Sequence, residues 1–315
     1  MVVFLFRRLV FMVATLLFVS MLIFVVTEVL PGDVATAILG RRATNEETLS
    51  ALREQLGLNR PALTRYVDWL TGMLQGDWGD SLTLKVPIYP LVTERLGYSL
   101  VLALVAFVIG VPLGLLLGVI AGLMQDSWVD HLISGILLLL VSIPEFVLAT
   151  TGIMIFAYQF QILPATSTIE ADMSWQTVSL ALILPTTTLV LGMLAHVGRM
   201  MRSSIAEVMH SQYVRTAVLK GLQMRVVIFR HALPNALLPT ISVIALEVGY
   251  LLGGIVVIEN IFAYPGLGRL MLRGVTNQDL PLLQAVTLIM TVAFMVANFL
   301  ADMVYLMLNP RIRYE

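Results

Sequence analysis

An all-α fold that crosses a lipid bilayer six times is predicted by three features of this 315-residue sequence: its bulk composition, six apolar runs long enough to span, and a one-sided distribution of Lys and Arg. Hydrophobic residues make up 58% of the chain and charged residues only 12%, too few polar side chains for an ordinary soluble domain. Mean hydropathy is +0.91. The chain has no cysteine, which removes disulfide frameworks, thiolate nucleophiles and Cys-based zinc sites together. With 19 basic and 20 acidic residues the net charge is −1, which argues against a nucleic-acid partner.

The first apolar run, Leu9 to Leu30, is broken only by Ser, Thr and Glu28. At 1.5 Å per residue it covers about 33 Å, enough for a bilayer core. Arg7 and Arg8 precede it, but the run exceeds a signal-peptide core and no Ala-x-Ala site follows, so it is a retained anchor. Further runs lie at Ser99–Leu123, Leu132–Phe156, Thr177–Val197, Ala236–Ile258 and Leu282–Leu308. Positive residues resist translocation, and they cluster at the N-terminus, between Arg199 and Arg230, and at Arg311 and Arg313. Both termini and the 199–234 loop are therefore placed in the cytoplasm. The seven positive residues between Pro31 and Tyr98 do not oppose this, because segments longer than about 60 residues translocate largely regardless of charge.

Two domains are expected. Residues 1–98 hold the first span and an extracytoplasmic cap, and residues 99–315 hold a five-helix core with a cytoplasmic loop at about 199–234. Within the cap, Thr44-Asn45-Glu46-Glu47 has the pattern of a capping box, followed by Leu49, Leu52 and Leu56 and stopped by Gly57. A second helix is expected from Pro61, with Leu63, Tyr66, Val67, Leu70 and Leu74 on one face and Gly76 as its stop. In the second span Gly110, Gly114, Gly118 and Gly122 recur every fourth residue, a bare stripe against which another helix packs closely, within the chain or across a subunit interface. Pro112, Pro144 and Pro185 interrupt apolar runs and predict kinks. Acids in or beside spans are Glu28, Glu145, Glu247, Glu259 and Asp302. Unpaired charge is costly at mid-depth, so Glu145 and Glu247 are candidates for a translocation path, with a helix-stabilising hydrogen bond as the alternative.

No phosphate-binding loop exists, since the two lysines, Lys85 and Lys220, are not preceded by Gly. Metalloprotease, serine-hydrolase and Cys/His ligand motifs are also missing, so no enzymatic activity, cofactor or metal site is expected on this chain. His196, His210 and His231 fall in or beside the basic cytoplasmic region and predict no metal site. In the inner loop, Val214, Ala217, Val218 and Gly221 follow helical spacing and would form a narrow ridge on a short helix ending at Gly221. The ridge, flanked by Arg215 and Lys220, suits either a groove on a partner or the headgroup layer.

At this loop the sequence resembles the permeases of binding-protein-dependent ABC importers. Their signature runs Glu-Ala-Ala, three residues, Gly, nine residues, Ile-x-Leu-Pro, and Ala217, Gly221, Leu233 and Pro234 fall on that spacing. Arg215, Thr216 and His231 depart from it. The segment Tyr213-Val214-Arg215-Thr216-Ala217 with Lys220-Gly221 resembles the variant of the oligopeptide, dipeptide and nickel branch. Leu30-Pro31-Gly32-Asp33, Gln55-Leu56-Gly57-Leu58, Gly76-Asp77, Pro265-Gly266-Leu267-Gly268-Arg269 and Asn309-Pro310-Arg311 extend the likeness along nearly the whole chain. The resemblance implies a type I ABC importer permease fold in the bacterial inner membrane, with the helix around Ala217 as the coupling helix. It also implies a second related permease, two ATP-binding subunits carrying ATP and magnesium, and an extracytoplasmic solute-binding protein. Peptides are the expected solute, with a nickel chelate or glutathione as alternatives. Rivals from other classes are an ion-coupled secondary transporter, for which Glu145 and Glu247 would be coupling sites, and a membrane scaffold or receptor.

Overall fold

The computed structural model describes residues 2–29, 46–55, 59–169 and 173–308. These residues form helices and connections, and among them the sole β pairing is an isolated bridge between Asp80 and Pro87. Helix is what such a sequence must adopt, because lipid offers no partner to a backbone N–H or C=O. The helices are α1 (Val2–Val29), α2 (Glu46–Gln55), α3 (Ala62–Gln75), α4 (Ile88–Leu123), α5 (Trp128–Ser142), α6 (Glu145–Gly152), α7 (Trp175–Met209), α8 (Gln212–Leu219), α9 (Leu233–Ile261), α10 (Leu267–Thr276) and α11 (Leu280–Leu308). A π-helical segment, Ile153–Gln159, extends α6, and a second, Val227–Ala232, leads into α9.

Five helices are long and apolar enough to cross a membrane, and the bent pair Trp128–Ser142 with Glu145–Gln159 makes six. That third crossing is expected as one kinked run, but α5 and α6 meet at 101°. Pro144 has no N–H to continue the ladder and stands at the start of α6 with φ −58° and ψ 142°. Pro112 and Pro185, by contrast, sit inside continuous helices. In the cap, α3 follows Pro61 and is closed by Gly76 at φ 85°, whose N–H reaches Met73 O while Asp77 N–H reaches Gly72 O. For α2, the helix runs as expected over Glu46–Gln55, while Thr44, Asn45 and Gly57 lie outside the described residues, as do Leu30–Asp33 and the tail from Asn309.

Contacts divide the chain into two units, residues 1–99 with 265–296, and residues 100–264 with 297–315. The first unit packs Ile23, Met73, Ile88, Val92, Leu267, Leu282 and Val286 together. Around them, Ser20 bonds Tyr66 at 2.8 Å, Phe24 meets the Tyr66 ring edge-on, and Gln284 Nε2 donates to Thr27 Oγ1 at 2.6 Å. Its polar anchor is the fully buried Asp279. One carboxylate oxygen accepts from Ser81 Oγ (2.6 Å), Thr83 N (3.0 Å) and Thr83 Oγ1 (2.8 Å), and the other caps α11 through Leu282 N.

Burial raises the Asp279 pKa, while the hydrogen bonds from Ser81, Thr83 and the Leu82 backbone lower it by more, so the carboxyl is held below its ordinary value. A depressed carboxylate stabilises the fold above its unfolded pKa and loses that contribution as pH falls through the folded one. Asp279→Asn is therefore expected to cost about 2 kcal/mol at pH 7, with the gap from the parent protein narrowing below about pH 4. Thermal midpoints of the detergent-solubilised proteins across pH 3–8 check this.

The second unit is organised on α7, fifteen of whose residues are buried. The glycine stripe of α4 lies on it. A Cβ built at Gly114 would sit 3.0 Å from Val197 Cβ, at Gly118 2.5 Å from both Gly198 O and Met201 Cβ, and at Gly122 2.7 Å from Ile205 Cγ2. Gly110 faces Met193 in the same seam. On its other sides α7 packs Met201 and Ile205 against Ala236 of α9, and Gly198 against Leu137 of α5.

Candidate functional site

The short helix expected around Ala217 is α8, Gln212–Leu219, with Ser211 in extended conformation before it. Gly221 follows at φ +77°, the left-handed geometry that ends a helix at little cost only for glycine. The expected ridge divides. Val214 and Ala217 are buried against Val208 and Met209 at the end of α7 and against Val227 of the π-helical segment, so they seat α8 on its own chain. Tyr213, Arg215, Thr216, Val218, Leu219 and Lys220 are exposed, Leu219 at 79%. Leu233 and Pro234 begin α9 directly after the π-helical turn, where the missing N–H of Pro234 interrupts the backbone hydrogen-bond ladder.

Glu145 and Glu247 come together in the second unit. Glu247 is fourteen residues from each end of α9 (247 − 233 and 261 − 247) and is 5% exposed. Its Oε1 lies 2.9 Å from His196 Nδ1 on α7. Glu145 enters the same α7–α9 seam about one turn from His196 along α7 and two turns from Glu247 along α9. A Cβ on Gly192 would lie 2.9 Å from Glu145 Oε1, and one on Gly254 2.7 Å from Oε2, so the carboxylate occupies space left by two absent side chains. The His196 side chain is 49% exposed and Tyr250, ring centroid 6.4 Å away, is also exposed. Ionisable side chains within a crossing are costly against lipid and favour a polar surrounding such as a water-filled path or a partner. Glu259 is fully buried, and the Glu28 side chain lies outside the described residues.

Three charged or ionisable side chains of these helix seams escape sequence reasoning. His196 groups with the cytoplasmic cations because Arg199 follows it, yet it belongs to the midplane seam; its place inside the run ending at Val197 is the signal. Asp130 and Arg202 lie just beyond the apolar runs and form a bidentate ion pair, Nε to Oδ1 at 2.8 Å and Nη2 to Oδ2 at 2.7 Å. No periodicity marks a partnership across 72 residues. Among the described residues, no three His, Cys, Asp or Glu side chains are placed to share a metal ion.

Six candidate crossings, with Glu145, His196 and Glu247 gathered in one seam, define a polytopic membrane protein. Comparison with known families gives two matches: residues 114–314 fit the model of the binding-protein-dependent transport system inner membrane component, and residues 1–103 fit that of the N-terminal part of the same membrane component. The chain belongs to this family, and is an integral, multi-pass permease of the inner membrane. Over 312 residues it is 35% identical to a probable peptide ABC transporter permease of Sinorhizobium fredii, covering 99% of each chain. It is 36% identical over 306 residues to a putative peptide transport system permease of Brucella abortus, 96% of each. A glutathione transport system permease of Salmonella typhimurium is 34% identical over 309 residues, 98% of each. Among solved structures, an amino acid ABC transporter crystallised with histidines matches with a TM-score of 0.53 at 18% identity, over 69% of this chain and 93% of that one. That likeness concerns the fold.

Proposed function

We propose that this permease passes di- or oligopeptides inward as one of two related membrane subunits, driven by two ATP-binding subunits that hold ATP and magnesium and supplied by an extracytoplasmic solute-binding protein. The peptide-permease relatives support this substrate class. The glutathione-permease relative supports a second reading, since glutathione is itself a tripeptide. Mass spectrometry of the solute retained by the partner binding protein separates the two.

The observation that carries the reading is α8, packed by Val214 and Ala217 onto the last turn of α7 with its other face exposed. ATP-driven closure of the ATPase pair would move α8, and the two permeases would alternate between inward and outward cavities. Tyr213, Arg215, Thr216 and Lys220 make the outer contact, Ala217 seats the helix, and Gly221, Leu233 and Pro234 shape the return to α9. Residues 31–98 form the outer cap that receives the binding protein, and 99–315 the five-helix core. Glu145 and Glu247 line the path, and Gly110, Gly114, Gly118 and Gly122 hold α4 to α7.

Replacing Gly221 with Leu is the test. A Cβ there meets no atom within 4 Å, so the change strains only the left-handed turn, by about 1–2 kcal/mol. Uptake by the reconstituted importer should fall at least tenfold while insertion and yield stay normal. Normal uptake overturns the assignment of α8 as the coupling helix.

A further inference from the structure

Below the midplane patch, α5 and α7 are joined in two different ways. Leu137 lies over Gly198, where a Cβ would sit 2.9 Å from Leu137 Cδ1. Such an apolar contact allows small sliding. About one turn along α7 and two along α5 toward the cytoplasm, Arg202 grips Asp130 through two parallel N–H···O bonds, a geometry that fixes translation and rotation together. Asp130 is 1% exposed. Its carboxylate also accepts from Asp126 N at 3.0 Å and Ser134 Oγ at 3.0 Å, and its own N–H reaches Ser127 Oγ at 3.3 Å. Asp126 stands at φ +62°, a conformation costly for a residue other than glycine and held here by that bond. A single side chain therefore locks the α4–α5 turn, the first two turns of α5, and α7.

The position of this lock matters. Arg202 is seven residues before Met209, about 10 Å along the helix axis, and Met209 is where Val214 and Ala217 of α8 pack. From Asp130, α5 runs to Ser142 and ends at the 101° break, beyond which Glu145 sits in its glycine-lined seat. We infer that the Asp130–Arg202 pair is the joint through which displacement of α8 reaches the broken third crossing, so that coupling-helix movement repositions the hinge at residues 142–144. Asp130 and Arg202 are positioning residues: they touch neither solute nor ATPase, and act by making α5 travel with α7. The inference rests on α8 being the coupling helix.

The experiment uses the complete importer, with ATP-binding subunits and solute-binding protein, in proteoliposomes, and reads solute taken up per ATP hydrolysed. Asp130→Asn keeps the shape but loses the charged acceptor; Arg202→Lys keeps the charge but loses the fork. Assembly and ATP hydrolysis should stay within about twofold, while uptake per ATP falls at least tenfold for Asp130→Asn and severalfold for Arg202→Lys. The double variant Asp130→Asn/Arg202→Gln should be no worse than the poorer single one, because the pair acts as a unit. If Asp130→Asn prevents assembly, Arg202→Lys supplies the reading, and loss of assembly in both overturns the inference in favour of a purely structural pair. Uptake and hydrolysis falling in parallel, or an unchanged ratio, overturns it as well. Gly221→Leu separates the two levels: a lowered ratio there with a normal ratio in Asp130→Asn removes the joint alone, and a normal ratio in Gly221→Leu removes the coupling helix itself.

Discussion

Gly118→Ala is expected to abolish recovery of folded permease, although it adds one methyl group to a helix and improves helix propensity. The new Cβ would lie 2.5 Å from Gly198 O, 2.5 Å from Met201 Cβ and 3.0 Å from Arg202 N. Two of those atoms are backbone of α7, and α7 is the most buried helix of its unit, so neither helix can retreat without opening the seam along Gly110, Gly114 and Gly122. Overpacking of this kind costs more than about 3 kcal/mol, a large share of a typical total stability. Gly135→Ala is the matched control, since nothing lies within 4 Å of its Cβ position. Size-exclusion profiles and thermal midpoints in detergent should collapse for the first and hold for the second. A monodisperse Gly118→Ala protein with a normal midpoint would show that the α4–α7 approach is looser than described.

Gly254→Ala should do the reverse, leaving the fold intact and damaging transport. Its Cβ would meet Glu145 Oε2 at 2.7 Å, with the next contacts in the same carboxylate. The obstructing atom is the end of a flexible side chain, so the collision is relieved by a rotamer change that moves the carboxylate out of its seat. Yield and thermal midpoint are expected to match the parent protein, while reconstituted uptake falls at least fivefold if Glu145 lines the solute path. Full uptake by a well-folded Gly254→Ala protein would remove Glu145 from that path.

Hydropathy and hydrogen bonding report different things, which explains what the sequence discloses. Apolar runs locate lipid, so the crossings stand where expected, but their helices overrun them. α4 begins at Ile88, eleven residues before Ser99, and α7 continues to Met209, twelve beyond Val197. Thr93, Glu94 and Arg95 look unlike membrane residues yet continue the helix because i to i+4 bonding persists in water. Glu145 and Glu247 announce themselves as carboxylates in apolar surroundings. Asp130 and Asp279 do not, because their partners Arg202 and Thr83 lie 72 and 196 residues away, and pairings at such separation leave no periodic trace. Pro144 announces an interruption, but not the seat between Gly192 and Gly254 that receives the carboxylate following it.

The broken third crossing has a bearing on how the protein is made. With fifteen residues, α5 is about 22 Å long, short of a bilayer core of about 30 Å, so neither half can stand alone and the insertion machinery must handle residues 128–159 as one segment. The seat for Glu145 is supplied by α7 and α9, both synthesised later. Until residue 254 has entered the membrane, this segment therefore carries an acidic side chain without its complete seat.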